Sequence, residues 1–334
     1  MKNRHYLWNR FFLLFIGLVV AWIFPGCENR DPEVRPIPYD KVNGFVTSEM
    51  GEKLLATSHG LYFLNESNGL IEPVENYTPI PPLYDLTYAK NTRSQDLWLA
   101  SHAGALDFTS QIYLNEANSG LHSDELSNIH FDRDNVIYFA TPLGISILNQ
   151  QNWILNSGKD KFYLKYEISD IGSTTNGFTY VTTQGGGIER FKIETDGISG
   201  ATIFNKEWSG LESNNIFTVF TDDTIQAYGT DRGAALHFSE YTKRDWMVYT
   251  TKDGLINDTV LAIVKDLGNN WWFGTTGGIS RLSESQWTSY SVKTHSIISN
   301  HVRFLAVDPD GTVWMATDQG LSKFSNDRWV SIPK

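Results

Sequence analysis

The chain has 334 residues, 41% of them hydrophobic and 13% aromatic, which is enough for one or two well-cored domains. Its 38 Asp and Glu against 27 Lys and Arg give a net charge of −11, so nucleic acid and anionic lipid surfaces are poor partners. One cysteine in the whole chain excludes an internal disulfide, and stability must come from packing.

The first 26 residues read as an address rather than as part of the fold. Lys2, Arg4 and Arg10 form a basic start, and no acid precedes Glu28. The apolar run from Phe11 to Phe24 is short for a bilayer span of ~20 residues and fits the hydrophobic region of a signal peptide. It ends at Gly26-Cys27, which resembles a bacterial lipoprotein signal, although Phe24 and Pro25 stand where aliphatic and small residues are usual. The resemblance implies cleavage before Cys27 and acylation of its thiol. The alternatives are an uncleaved anchor or an ordinary buried cysteine. Loss of the signal would leave 24 basic against 38 acidic residues. An acylated Cys27 would stay on the membrane without a helix. Residues 27–40 are polar, carry three prolines, and read as an extended tether.

From Lys41 onward the chain repeats. The clearest column is Leu54-Leu55-Ala56-Thr57, Trp98-Leu99-Ala100-Ser101, Tyr138-Phe139-Ala140-Thr141, Tyr180-Val181-Thr182-Thr183, Ala227-Tyr228-Gly229-Thr230, Trp272-Phe273-Gly274-Thr275 and Trp314-Met315-Ala316-Thr317. Side chains two apart share a face of a strand. One face therefore carries a large and a small residue, and the other an apolar residue and a hydroxyl. Both faces are largely apolar, so such a strand is covered on both sides, and the small residue suggests close approach of a neighbouring sheet. Three residues after the hydroxyl comes a glycine, as Gly60, Gly104, Gly144, Gly233, Gly278 and Gly320, which suits a turn at positive φ. In the fourth copy Gly185-Gly186-Gly187 blurs this register. Apolar pairs mark a preceding first strand at Val42/Phe45, Leu83/Leu86, Leu126/Ile129, Ile168/Ile171, Ile216/Val219, Val260/Ile263 and Val302/Leu305. Trp153, Trp246, Trp287 and Trp329 open a fourth strand in four copies.

Four short strands at a period of ~40–50 residues indicate a β-propeller. The expected fold is all-β, a single seven-bladed propeller of four-stranded antiparallel blades over 41–334. The phase starts with a first strand and ends with a fourth, so no blade is shared between the two ends of the repeat. Closure then rests on packing between blades one and seven, unless residues 34–40 add an edge strand.

The stretches NDTVLAIVKDLGNNWWFGTTGGISRL (257–282) and SNHVRFLAVDPDGTVWMATDQGLSKF (299–324) resemble the two-component regulator propeller repeat. In that family such repeats build periplasmic sensor domains of hybrid histidine kinases that respond to oligosaccharides. The residues up to Lys334 include none of the family's transmembrane, kinase or receiver segments. What the resemblance implies is therefore the fold and a face for a ligand or partner.

In a four-stranded blade, the turns between second and third strands and the connections between blades emerge at one end of the ring. The turns offer His59, His102, Asp231 and Arg232; the connections offer His122, Asp124, Asn214, Asn257, Asp258, Asn300 and His301. Amides, carboxylates and imidazoles on a ring suit a polar ligand such as a glycan, or an envelope protein. The plainer reading is that Asn, Asp and Ser cap turns. A second function class is open. Propeller lyases such as the streptogramin B lyases resemble this class and use a His, an acid and a divalent metal on such a face, for which His59, His102, His122 and His301 are the candidates. No HxxxH or HxH spacing occurs, and no metal set or cofactor is implied. Asp132-Arg133-Asp134-Asn135 and Asp266-Leu267-Gly268-Asn269 lack the glutamate of a calcium loop and read as hairpin turns at the opposite end. The reading is thus a lipid-anchored propeller in the cell envelope that binds a ligand or partner.

Overall fold

The computed structural model describes residues 42–47, 53–57, 60–66, 70–74, 87–90, 97–154, 166–194, 197–238 and 246–333. All regular structure among them is β-strand. Twenty-eight strands form seven sheets, and each sheet is four consecutive antiparallel strands. The sheets are the blades of one ring, a seven-bladed β-propeller. The sixth blade shows the plan, with strands Val260–Lys265, Trp271–Thr275, Gly278–Ser283 and Gln286–Tyr290 running outward from the axis. The expected count of seven holds from both columns. In the second blade the described part of the first strand is Thr87–Lys90, and the Leu83/Leu86 pair lies outside the described residues.

In six of the seven blades the second strand is buried along its whole length, on both faces, and in the fourth only Phe178 at its start is partly exposed. The small residue in this column is a steric requirement. A Cβ at Gly274 would stand 2.6 Å from Val302 Cγ1 in the next blade, and one at Gly229 would stand 2.6 Å from the Val260 carbonyl oxygen. The large residue beside it needs a partner for its polar tip. Trp272 Nε1 donates to Asp266 (2.8 Å), Trp314 Nε1 to Asp308 (2.8 Å) and the Tyr138 hydroxyl to Asp132 (2.9 Å). In each case the aspartate lies six residues earlier and also opens the hairpin turn between first and second strands, where its own N–H pairs across the turn.

The column hydroxyl closes the other turn. Thr275 Oγ1 donates to the Gly278 carbonyl (2.8 Å) and accepts the Gly277 N–H (3.0 Å). The donation recurs in all seven blades, from Thr57, Ser101, Thr141, Thr183, Thr230 and Thr317. In the fourth blade the turn is one residue longer and Thr183 pairs with Gly187.

Every described sheet is made of consecutive strands, so the ring closes by side chains rather than by a shared blade. Val42, Phe45, Leu55 and Tyr62 of blade one pack with Trp314, Ala316, Leu321 and Ile332 of blade seven. Phe45 stacks on Trp314 at 4.9 Å between ring centroids. At the edge of this apolar seam, Lys53 Nζ meets Asp308 Oδ2 at 2.6 Å, and both side chains are buried. Asp308 also accepts from the Thr47 hydroxyl.

Candidate functional site

The turn-bearing end holds most of the predicted polar residues, and the structure separates those that hold backbone from those that face open space. Asp124 accepts the Glu116 N–H (2.6 Å), Asn214 the Lys206 N–H (2.8 Å), Asp258 the Thr251 N–H (2.6 Å) and Asn300 the Val292 N–H (2.9 Å). These four occupy one position of the inter-blade connection, and each ties its end back to its start. Asn257 accepts the Thr259 N–H (2.8 Å) and the Thr276 hydroxyl (2.9 Å). The His122 Nδ1 lies 3.0 Å from Ser146 Oγ. His301 is half-buried, and its N–H donates to Ser299 Oγ (3.2 Å). His102 is exposed and lines a cleft of about 360 Å³ with Glu125, Tyr166 and Glu167. His59 and Cys27 lie outside the described residues. Among the described residues, no three His, Cys, Asp or Glu side chains are grouped to hold a metal ion.

Three candidates do come together. Asn214, Asp231 and Arg232 line a cleft of about 400 Å³ between the fourth and fifth blades, with Lys206, Glu212 and Asn215. Asn215 Nδ2 donates to Asp231 Oδ2 (3.1 Å). Burial pushes the Asp231 carboxyl up, but hydrogen bonds from Ser213 and Asn215 outweigh it and hold the group below the usual range. The Gly185 and Gly187 N–H groups both donate to the Asn214 carbonyl, at 2.9 and 3.0 Å, which fixes the long fourth-blade turn as one wall. The cleft therefore offers amide, carboxylate, ammonium and guanidinium groups at one place.

The axis of the ring is a channel of about 600 Å³ walled by first strands. In blades one, four, five, six and seven the ladder between first and second strands slips by one residue near the turn-bearing end. A bulge leaves one residue unpaired and re-aims its side chain. The bulged residues are Asn43, Ser169, Phe217, Leu261 and Arg303, and all five line the channel, as does Ser127 of blade three. Deeper in, Asp170 ties three blades together. Its Oδ1 accepts from Asn128 Nδ2 (3.2 Å) and the Ile171 N–H (2.9 Å), and its Oδ2 accepts from the Thr218 hydroxyl and the Val219 N–H, both at 2.9 Å. Burial raises its pKa despite these four donors.

His130 also lines the channel, with Nε2 2.8 Å from Ser173 Oγ. Burial lowers its pKa from 6.5 to about 4. As pH falls, the unfolded chain takes the proton first. Stability from this group is therefore complete above 6.5 and is lost as pH falls towards about 4. His130→Gln is expected to reduce the fall in urea midpoint between about pH 7 and about pH 4.5. An unchanged fall would assign the acid sensitivity to carboxylates instead.

Residues 296–319 match the family model described as two component regulator propeller. This segment is a two-component regulator propeller repeat. It comprises the end of the last connection, the bulged strand with Arg303 and the strand with Trp314. No curated protein matches the chain in sequence. Among solved structures, the chain is similar to PorZ, a surface component of the type-IX secretion system of Porphyromonas gingivalis, at 16% identity and a TM-score of 0.64, covering 87% of this chain and 46% of that one. It is similar to a streptogramin B lyase at 15% identity and a TM-score of 0.62, covering 88% and 95%. A third match is the extracellular domain assigned to hybrid two component system BT3049 of B. thetaiotaomicron, at 17% identity and a TM-score of 0.37, covering 90% and 52%. The chain thus spans about half the length of two of these three. At such identities the likeness concerns the fold alone.

The propeller repeat also exposes what the sequence reading missed. Asn118, Asp253 and Thr294 hold one position of the connection, and each accepts an N–H from three residues earlier. In the connection that carries Lys206 this position is Trp208, which offers no acceptor and is 72% exposed. The Trp residues of the repeat columns are core; Trp208 is not. The signal was available, because an aromatic residue replaces a turn-capping one in an otherwise regular column. Arg303 and Phe217 gave no such signal, because a bulge is a property of the ladder.

Proposed function

We propose that this propeller is a binding module held outside the cytoplasm by a lipid on Cys27, and that it takes a hydroxyl-rich ligand, a glycan, at its turn-bearing end. The observation that carries this is the cleft between blades four and five. Side-chain amides both donate and accept, carboxylates accept hydroxyl protons, and cations donate, which is the set that a sugar's hydroxyls require. Trp208, two residues from Lys206 in the same connection, supplies an exposed ring face for a pyranose to pack on.

The test is a glycan array probed with the full chain in detergent, followed by titration of each hit. Arg232→Ala and Trp208→Ala are each expected to weaken a hit by at least ~10-fold, the scale of one charge-assisted hydrogen bond or one aromatic contact. Both positions are exposed, so the melting temperature should not move. An empty array, with an envelope protein cross-linked through Trp208 in cells, would replace the glycan by a protein partner. The anchor is checked in the same cells: Cys27→Ser should leave the membrane fraction.

A further inference from the structure

The five bulged residues at the channel mouth, together with Ser127 of the unbulged third blade, make an asymmetric ring. Blade seven contributes Arg303, blade one Asn43, blades three and four Ser127 and Ser169, and blades five and six Phe217 and Leu261. The residues that flank each bulge are nearly uniform: Val42, Ile168, Ile216, Val260 and Val302 on one side, Phe45, Ile171, Val219, Ile263 and Leu305 three positions on. The fold needs the flanking positions for packing between blades and turns the bulged position towards the axis, where the Ser169 hydroxyl also donates to the Ile216 carbonyl of the next blade and lies 3.1 Å from Thr182 Oγ1.

Arg303 decides the chemistry. It is exposed, and among the described residues it has no ion pair. It is the one cation among the described residues that line the channel. The acid that shares the channel, Asp170, already has two donors on each oxygen. A guanidinium is a planar fork that pairs a carboxylate through two parallel hydrogen bonds. Around the ring from it stand hydroxyl and amide groups, and then an aromatic ring and a leucine.

We propose that the channel mouth binds a sugar acid, a pyranose bearing a carboxylate, with the carboxylate on Arg303. Its hydroxyls meet Asn43, Ser127 and Ser169, and its apolar ring face meets Phe217. This rests on the glycan reading above and names the class of sugar and the subsite. About 600 Å³ accommodates one or two sugar rings.

The test is calorimetric titration of the full chain with glucuronate, galacturonate and a diuronate, with glucose and inorganic sulfate as controls. A uronate is expected to bind at least ~10-fold more tightly than glucose, and to weaken with added salt as a charge-assisted contact does. Arg303→Gln should cost ~10-fold or more with an unchanged melting temperature, and Phe217→Ala should weaken all three uronates. Equal binding of a uronate by the parent and by Arg303→Gln overturns the proposal, as does failure of every uronate. Sulfate binding as tightly as the uronates would reduce the site to a general anion site and overturn the sugar. If array hits depend on Arg232 and ignore Arg303, the cleft reading stands and this one falls.

Discussion

Replacing Asp308 by alanine is expected to lower the melting temperature by roughly 10 °C. The carboxylate is buried between the first and last blades, where it takes Lys53 Nζ at 2.6 Å, the Trp314 indole at 2.8 Å and the Thr47 hydroxyl. Breaking a buried pair costs about 3–5 kcal/mol, and Lys53 would keep only the partly exposed Glu66, 3.7 Å away. For a domain of this size each kcal/mol is worth ~2–4 °C. The effect should be strong because this seam closes the ring without a shared strand. The double change Lys53→Met with Asp308→Leu should recover a large part of the loss, since an apolar pair carries no desolvation cost. The neighbouring pair of Lys323 and Glu66, also at 2.6 Å, is partly exposed, and Glu66→Ala should cost under about 1 kcal/mol. Thermal unfolding of the three variants decides the matter. A shift under ~2 °C for Asp308→Ala would mean that the apolar seam alone closes the ring.

Gly278→Ala is expected to be as damaging, for a different reason. Gly278 has φ of 133°, a region that L-residues rarely adopt, and an added Cβ would lie 2.4 Å from the Tyr290 carbonyl oxygen. That oxygen cannot move aside, because Tyr290 is paired with Ile279 in the blade's outer ladder. Backbone strain of about 1–3 kcal/mol is therefore added to a clash with fixed backbone. Gly177 separates the two effects. It has φ of 85° with nothing within 4 Å of a Cβ, so Gly177→Ala should show strain alone, about 1 kcal/mol. Urea midpoints of the two variants give the comparison, and equal losses would assign the whole effect to φ rather than to close approach.

The two variants probe different layers of information. The glycine is written into the repeat, as are the hydroxyl that bonds across its turn and the large–small alternation of the second strand. Each is a local requirement of one blade: a positive φ, a turn bond three residues long, a face that must be covered. Seven copies of a local requirement are legible without coordinates, and so the blade count, the strand order and the hairpin turns at Asp132 and Asp266 follow from the residues alone.

The polar end was legible only as a set. Asp124, Asn214, Asp258 and Asn300 look like ligand-facing groups until each is seen holding an N–H seven or eight residues back. Asn214, Asp231 and Arg232 lie on two blades, and the distance between blades is not a property of either. Arg303 faces the axis because the ladder slips between Val302 and Phe304, and a slip depends on the partner strand. Lys53 and Asp308 meet across 255 residues. The sequence by itself determined the blade, because periodic burial and turn geometry act over a few residues. Only the tertiary structure decided the seam, the cleft and the channel mouth, because each is made where separate blades come together and no local pattern records which side chains the ring will place there.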